Sequence, residues 1–155
     1  MPRSAAIALG LLLMLGACGS EPTLEQQIIA VINEMEQNAE TAERRDFMAR
    51  ISEGFSGQDG TLDRDSFQRF MFYQWSQNQR LNAQLFPITV SRTGVNSAAA
   101  SFRVLVTGGK GLLPERGELF DVTTSWVQVD GDWLLQQANW TPSIEAASPP
   151  RSRDR

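Results

Sequence analysis

Among the side chains that most often do chemistry, histidine is missing from this sequence and cysteine occurs once, at Cys18. Without an imidazole, the Ser-His-Asp and Cys-His arrangements of acyl transfer cannot be assembled, and neither can a His-based metal site. Carboxylates remain for proton transfer or cation binding. Asp59, Asp63 and Asp65 in "DGTLDRD" are spaced like the opening of a calcium loop. The pattern then fails: Arg64 stands where that loop needs a glycine, and Phe70 where it needs a glutamate. Asp63 reads better as a helix N-cap, with Asp65 favourably placed in the first turn. Lys110 in "TGGKGLLPERG" sits in a glycine-rich stretch but lacks the glycine spacing and the following Ser or Thr of a phosphate loop. That stretch is expected to connect two strands, and no metal or cofactor is expected.

The lone cysteine has a context. Arg3 precedes a charge-free run of thirteen residues from Ala5 to Ala17, which suits the core of a signal peptide and is shorter than the ~20 residues that span a bilayer. The run ends Leu15-Gly16-Ala17-Cys18, which resembles the bacterial lipoprotein signal. The resemblance implies cleavage after residue 17, lipidation of Cys18, and a membrane anchor of two or more acyl chains, which is stable where one chain is marginal. Ordinary secretion with cleavage after Gly19 is the other reading. That cleavage would discard the cysteine; the lipoprotein reading stands first because it gives the lone thiol a use, where an unmodified one on an exported chain would be unpaired and reactive. Gly19 rather than Asp after the cysteine implies, by the same resemblance, an outer-membrane address facing the periplasm if the source is Gram-negative. Residues 18–23 form a short tether; its five residues past Cys18 reach ~17 Å when extended.

Residues 142–155, rich in Pro, Ser and charge, are expected to be a disordered tail. Residues 1–17 hold one of the 14 basic residues and none of the 18 acidic ones, so their removal takes the formal charge from −4 to −5. That balance argues against nucleic acid, which needs a basic stripe.

Between these ends the hydrophobic period changes once. Leu24, Ile28, Val31, Ile32, Met35, Ala39 and Ala42 recur at helical spacing. After "AERRD" the spacing of Phe47, Met48, Ile51 and Phe55 predicts a second helix, ended by Gly54 and Gly57. A third helix follows Asp63 to about Asn78, with Phe67, Phe70, Met71 and Trp75 as its stripe and Phe72 and Tyr73 off it. The period then becomes two. Phe86, Ile88 and Val90 form one strand, Phe102, Val104 and Val106 a second, and Phe120–Val129 and Asp132–Thr141 a hairpin about Asp130-Gly131. Helices followed by a four-strand antiparallel meander make an α+β domain over residues 24–141. A two-residue turn there pairs Trp126 with Leu135, Gln128 with Trp133 and Asp121 with Trp140. It places Trp126 and Trp133 on one face with Phe120 and Val122, and Trp140 on the other.

This order of elements, and the closing "DGDWLLQQANWT", resembles the nuclear transport factor 2-like superfamily in its SnoaL-like branch. Members often read Gly-x-Trp-x-Ile-x-x-x-His-Trp-Ser there; Gly131, Trp133, Leu135, Asn139, Trp140 and Thr141 stand at those places. The resemblance implies a cystatin-like cone, with helices packed into a bent sheet around a pocket, and in many members a dimer through the outer sheet face. It also implies a pocket wall of Phe102, Val104, Thr124, Trp126, Leu135, Gln137 and Asn139. Each of the apolar four is more readily read as plain core. Thr124, Gln137 and Asn139 would want partners if buried, and a ligand is one. Asn139 stands where many members carry histidine, so a proton-transfer role at that position is lost.

Three functions follow in order of weight. The first is a lipid-anchored, non-enzymatic domain binding a small apolar ligand or an envelope protein. The second is a dimeric structural module with a filled cone. The third is an isomerase or dehydratase using a carboxylate such as Asp46.

Overall fold

In a computed structural model, residues 20–78, 80–109 and 116–143 are described; Cys18, the signal segment and most of the expected tail lie outside them. The chain opens with α1 (Leu24–Glu40). Thr23 and Gln26 form a reciprocal capping box, with bonds of 2.9 and 3.2 Å, so two otherwise orphaned N–H groups are satisfied. Ala42, at φ +56°, turns the chain away, and α2 (Arg44–Ala49) follows. The expected continuation of that helix to Phe55 is not what forms. Ile51–Gly57 is strand β1, pairing in parallel with the last strand of the chain. Gly54 and Gly57 weaken a helix there, and the Arg50 carbonyl is already taken by the Leu135 N–H at 2.8 Å.

A 3-10 turn (Gln58–Gly60) and a two-residue strand β2 (Leu62–Asp63) lead to α3 (Arg64–Gln77). Asp63 caps α3, accepting the Ser66 N–H at 2.8 Å, as its sequence position suggests. Strands β3 (Arg80–Leu85), β4 (Thr89–Gly94), β5 (Ser97–Gly109), β6 (Arg116–Val129) and β7 (Asp132–Pro142) complete the domain. The expected tail begins at residue 142, but Pro142 closes β7 and Ser143 is buried with its N–H on the Leu119 carbonyl, so both belong to the domain; the rest of that segment lies outside the described residues.

The described residues form an α+β domain with one mixed sheet of seven strands, ordered β2-β1-β7-β6-β5-β3, with β4 also on β5. Four antiparallel strands were expected. The additional ones are the pair β1 and β2, and β3, which precedes the expected strand from Phe86; that strand forms as β4 and begins only at Thr89, beyond Pro87. Because β5 is thirteen residues long, β4 pairs with its first half and β3 with its second, on the same edge.

The β6–β7 ladder changes register. Near the turn, Gln128 faces Trp133 and Trp126 faces Leu135, as the two-residue turn dictates. Beyond a bulge, Ser125 faces Gln137 and Val122 faces Trp140, one residue out of step. Gln136 is the extra residue. Its amide accepts from Ser52 Oγ at 3.1 Å and donates to the Gly54 carbonyl at 3.1 Å, bridging the irregular stretch of β1. Strand side chains alternate, so one inserted residue inverts every face after it. Trp140 thus points to the helices rather than away from them, while Gln137 and Asn139 point outward.

The core lies between that inner face and the helices. Ile28 and Ala98 are fully buried, and Trp126 is 2 % exposed. Losing the two side-chain bonds that hold the bulge to β1 costs about 1–2 kcal/mol in all. Gln136→Ala is therefore expected to lower stability by that amount in urea unfolding; an unchanged midpoint would show that the bulge needs no such fastening.

Candidate functional site

The helices do not fill the cone. A cavity of about 580 Å3 remains between α1, α3 and the inner sheet face. One stripe of α1 forms a wall: Ile32, Met35, Glu36 and Ala39, the spacing that puts side chains on one face. From α3 come Phe67, Phe70 and Met71, then three amides at its C-terminal end, Gln74, Gln77 and Asn78. The sheet supplies alternate residues: Phe102, Val104 and Val106 of β5, Phe120, Val122 and Trp126 of β6, and Leu135, Ala138 and Trp140 of β7.

Aromatic rings brace one side. Phe70 stacks on Trp140 with centroids 6.0 Å apart, and Phe67 stands 6.1 Å from the same indole. The amide end depends on a glycine. A Cβ on Gly108 would lie 2.7 Å from Asn78 Oδ1, so only glycine lets Asn78 lie over the end of β5. Asn78 Nδ2 in turn donates to the Gln74 carbonyl at 3.0 Å, closing α3.

Polar satisfaction separates structural groups from available ones. Trp75 donates its indole N–H to the Ala39 carbonyl, Trp126 to Thr124 Oγ1 and Trp133 to Gln27 Oε1, at 2.8–2.9 Å. The indole N–H of Trp140 makes no hydrogen bond to a described residue. Glu36 is half-buried in the α1 wall, and its carboxylate likewise accepts none. Burial, and then the Glu40 carboxylate one turn away, push the Glu36 carboxyl above its ordinary value. Glu118, at the amide end, is exposed.

Of the residues expected to line a pocket, Phe102, Val104, Trp126 and Leu135 line this cavity. Thr124 is buried but fully engaged, donating to the Ala100 carbonyl at 3.1 Å and accepting from Trp126. Gln137 and Asn139 do not reach the cavity, because the Gln136 bulge turns them to the opposite face. There, Thr89, Ser101, Thr123 and Asn139 stand in one cross-strand row beside a hollow of about 220 Å3. Asn139 is bound in both directions to Asp59, at 2.9 and 3.0 Å. Asp46, the expected carboxylate of an enzyme, is exposed on α2 and lines neither hollow. Glu36 was not singled out in the sequence; its place on the α1 apolar stripe, between Met35 and Ala39, was the available signal.

Solved structures share this architecture. Bd1075 of Bdellovibrio bacteriovorus superposes with a TM-score of 0.67 at 11% identity, over 76% of this chain and 40% of that one. A protein of Novosphingobium aromaticivorans provisionally named a scytalone dehydratase gives 0.65 at 12%, over 77% and 83%. An NTF2-like protein of unknown function from Pseudomonas putida gives 0.65 at 13%, over 84% and 96%. The fold is that of the nuclear transport factor 2-like proteins. Its members are also described as cystatin-like, and the provisional name above shows that enzyme assignments occur among them. No protein-family model matches the chain, and no curated protein sequence matches it.

The charged form of Glu36 is disfavoured in the folded chain, so its folded pKa lies above the unfolded one. The penalty is present above the folded pKa and vanishes below the unfolded value. Glu36→Gln is therefore expected to raise the melting temperature at neutral pH, with the gain shrinking as pH falls through the carboxylate range. A gain that is independent of pH, or a loss at neutral pH, contradicts this account of Glu36.

Proposed function

We propose that this chain is a lipid-anchored protein of the bacterial envelope whose NTF2-like domain holds a small apolar ligand in the periplasm without altering it chemically. The observation that carries the binding half is the cavity. At about 580 Å3 it falls within the ~300–1,000 Å3 of small-molecule sites, and its walls are apolar with a few polar groups. A structural module with a filled cone would not leave this space. The anchoring half is supported by the Leu15–Cys18 sequence and by the capped start of α1 at Thr23, which leaves a tether of five residues past the cysteine.

Glu36 favours a second reading. A carboxyl of raised pKa in an apolar cavity is how a general base of an isomerase or dehydratase is made. Such an enzyme also needs an acid that returns the proton: Tyr73, the chain's single tyrosine, is 60% exposed and outside the cavity lining, and Glu118, the other carboxyl of the wall, is exposed at the amide end. Binding without turnover uses what the walls offer, so it stands first.

The apolar fluorophore N-phenyl-1-naphthylamine should brighten on binding the purified domain. Val104→Trp, which fills the cavity from the sheet side, should weaken that binding about tenfold with a native far-ultraviolet spectrum. A wild-type domain that leaves the fluorophore dark refutes the pocket reading. For the anchor, cells fed an alkynyl fatty acid should label the wild-type chain and leave Cys18→Ser unlabelled; equal labelling of both would move the acyl chain, if any, elsewhere.

A further inference from the structure

We infer that the ligand of this cavity is an apolar molecule ending in an amine, seated with its ammonium head against Glu36, an inference that rests on reading the cone as a ligand pocket. The second half of α1 carries three glutamates, and their surroundings differ. Glu34 receives two bonds from Arg50, at 2.9 and 3.0 Å. Glu40 accepts the Ala83 N–H at 2.8 Å, tying the helix to β3. Glu36, the member that faces the cavity, accepts a hydrogen bond from no described residue. Its neighbours on the wall, Ile32, Met35 and Ala39, offer none.

Among the described residues that line the cavity, the charge has one sign. Glu118 lines the same cavity, and Glu40 stands one turn along α1. Among the described residues no basic side chain lines the space. Arg50 is engaged by Glu34 and Asp132, Arg44 lies over the Phe72 and Trp75 rings, and Arg64 donates to the Ile51 and Met48 carbonyls. Glu118 and Glu40 are exposed and act through solvent, so the direct effect is that of the half-buried, unpartnered Glu36 carboxylate, which repels an entering anion and attracts a cation more strongly than it would in water. The cost of holding Glu36 charged and half-buried is what an ammonium group removes, because a paired buried charge is far cheaper than a bare one. The apolar walls then take the rest of the molecule. A fatty acid would present like charge to Glu36 and is excluded by the same argument.

The test displaces bound N-phenyl-1-naphthylamine with three probes of equal chain length, each below its micelle concentration: dodecylamine, dodecanol and dodecanoate. At neutral pH the amine is expected to displace the fluorophore at a concentration about tenfold lower than the alcohol, with dodecanoate weakest. In Glu36→Gln the amine-to-alcohol ratio should fall to within about twofold of unity. In the wild-type chain the same ratio should fall as Glu36 is protonated in mild acid, where the amine keeps its charge. An alcohol equal to the amine, dodecanoate displacing best, or a ratio unchanged in Glu36→Gln each overturns the inference and leaves the pocket reading standing. A fluorophore that does not bind at all overturns the pocket reading, and this inference with it.

Discussion

The ladder between β6 and β7 leaves the Asp130-Gly131 turn in one register and finishes in another, because Gln136 has no residue opposite it. The β7 side of the hollow follows from that slip. With a regular ladder, Gln137 and Asn139 would face the helices and two amides would need partners inside the core. With the bulge, Ala138 and Trp140 face the helices instead: a small residue that leaves room and a large one that bounds it. The same bulge lets β1 lie beside β7 despite its own irregular stretch, since the Gln136 amide satisfies Ser52 and Gly54 where backbone pairing lapses. Register, edge pairing and pocket shape are set by one residue.

A hollow of this size is costly unless something prevents collapse. Here the walls are braced from outside the cavity. Trp75 is fastened to the end of α1 through the Ala39 carbonyl, and Trp133 to its beginning through Gln27, so both ends of the helix are fixed to other elements. Glu40 adds a tie to β3. The Arg50–Glu34 pair fastens the outward side of the helix to the start of β1. α1 therefore spans the sheet like a beam, and its inner stripe cannot drop into the space below.

What the sequence disclosed, and what it hid, divides along the range of the interactions. The N-cap at Asp63, the hairpin at Asp130-Gly131 and the alternation of Phe102, Val104 and Val106 are local, and each stands where the pattern places it. Ile51 and Phe55 were misread as helical because their spacing fits either period; what decides their strand is the pairing of Ile51 with Leu135 and of Ser56 with Gln137, more than eighty residues away. The bulge was invisible for a related reason. Nothing in "LLQQANW" distinguishes a run that alternates throughout from one with a residue bulged out, since both keep apolar residues at plausible places. Four of the seven expected pocket residues sit before the bulge or on the other strands and line the cavity. Gln137 and Asn139 lie beyond it and face out. Thr124 faces inward, but its hydroxyl is consumed by Trp126 and Ala100.

The chemistry available inside follows from which polar groups the fold leaves unspent. In the sheet they are spent on structure: Thr124 on its neighbours, Asn139 on Asp59, Gln136 on β1. At the α3 end, Asn78 is turned back on its own helix and held there by the absence of a side chain at Gly108. On the α1 wall only Glu36 is left, raised in proton affinity by burial and by Glu40. One half-buried carboxylate without an imidazole, with Glu118 exposed at the amide end of the wall and the chain's tyrosine turned outward, is a poor proton relay, which must both give and take in one turnover. It is a sufficient anchor for one positive or hydrogen-bond-donating group at the end of an apolar molecule. The same residues that make catalysis hard to assemble make orientation of such a molecule simple, because one polar contact in an apolar cavity fixes which end of the guest points where.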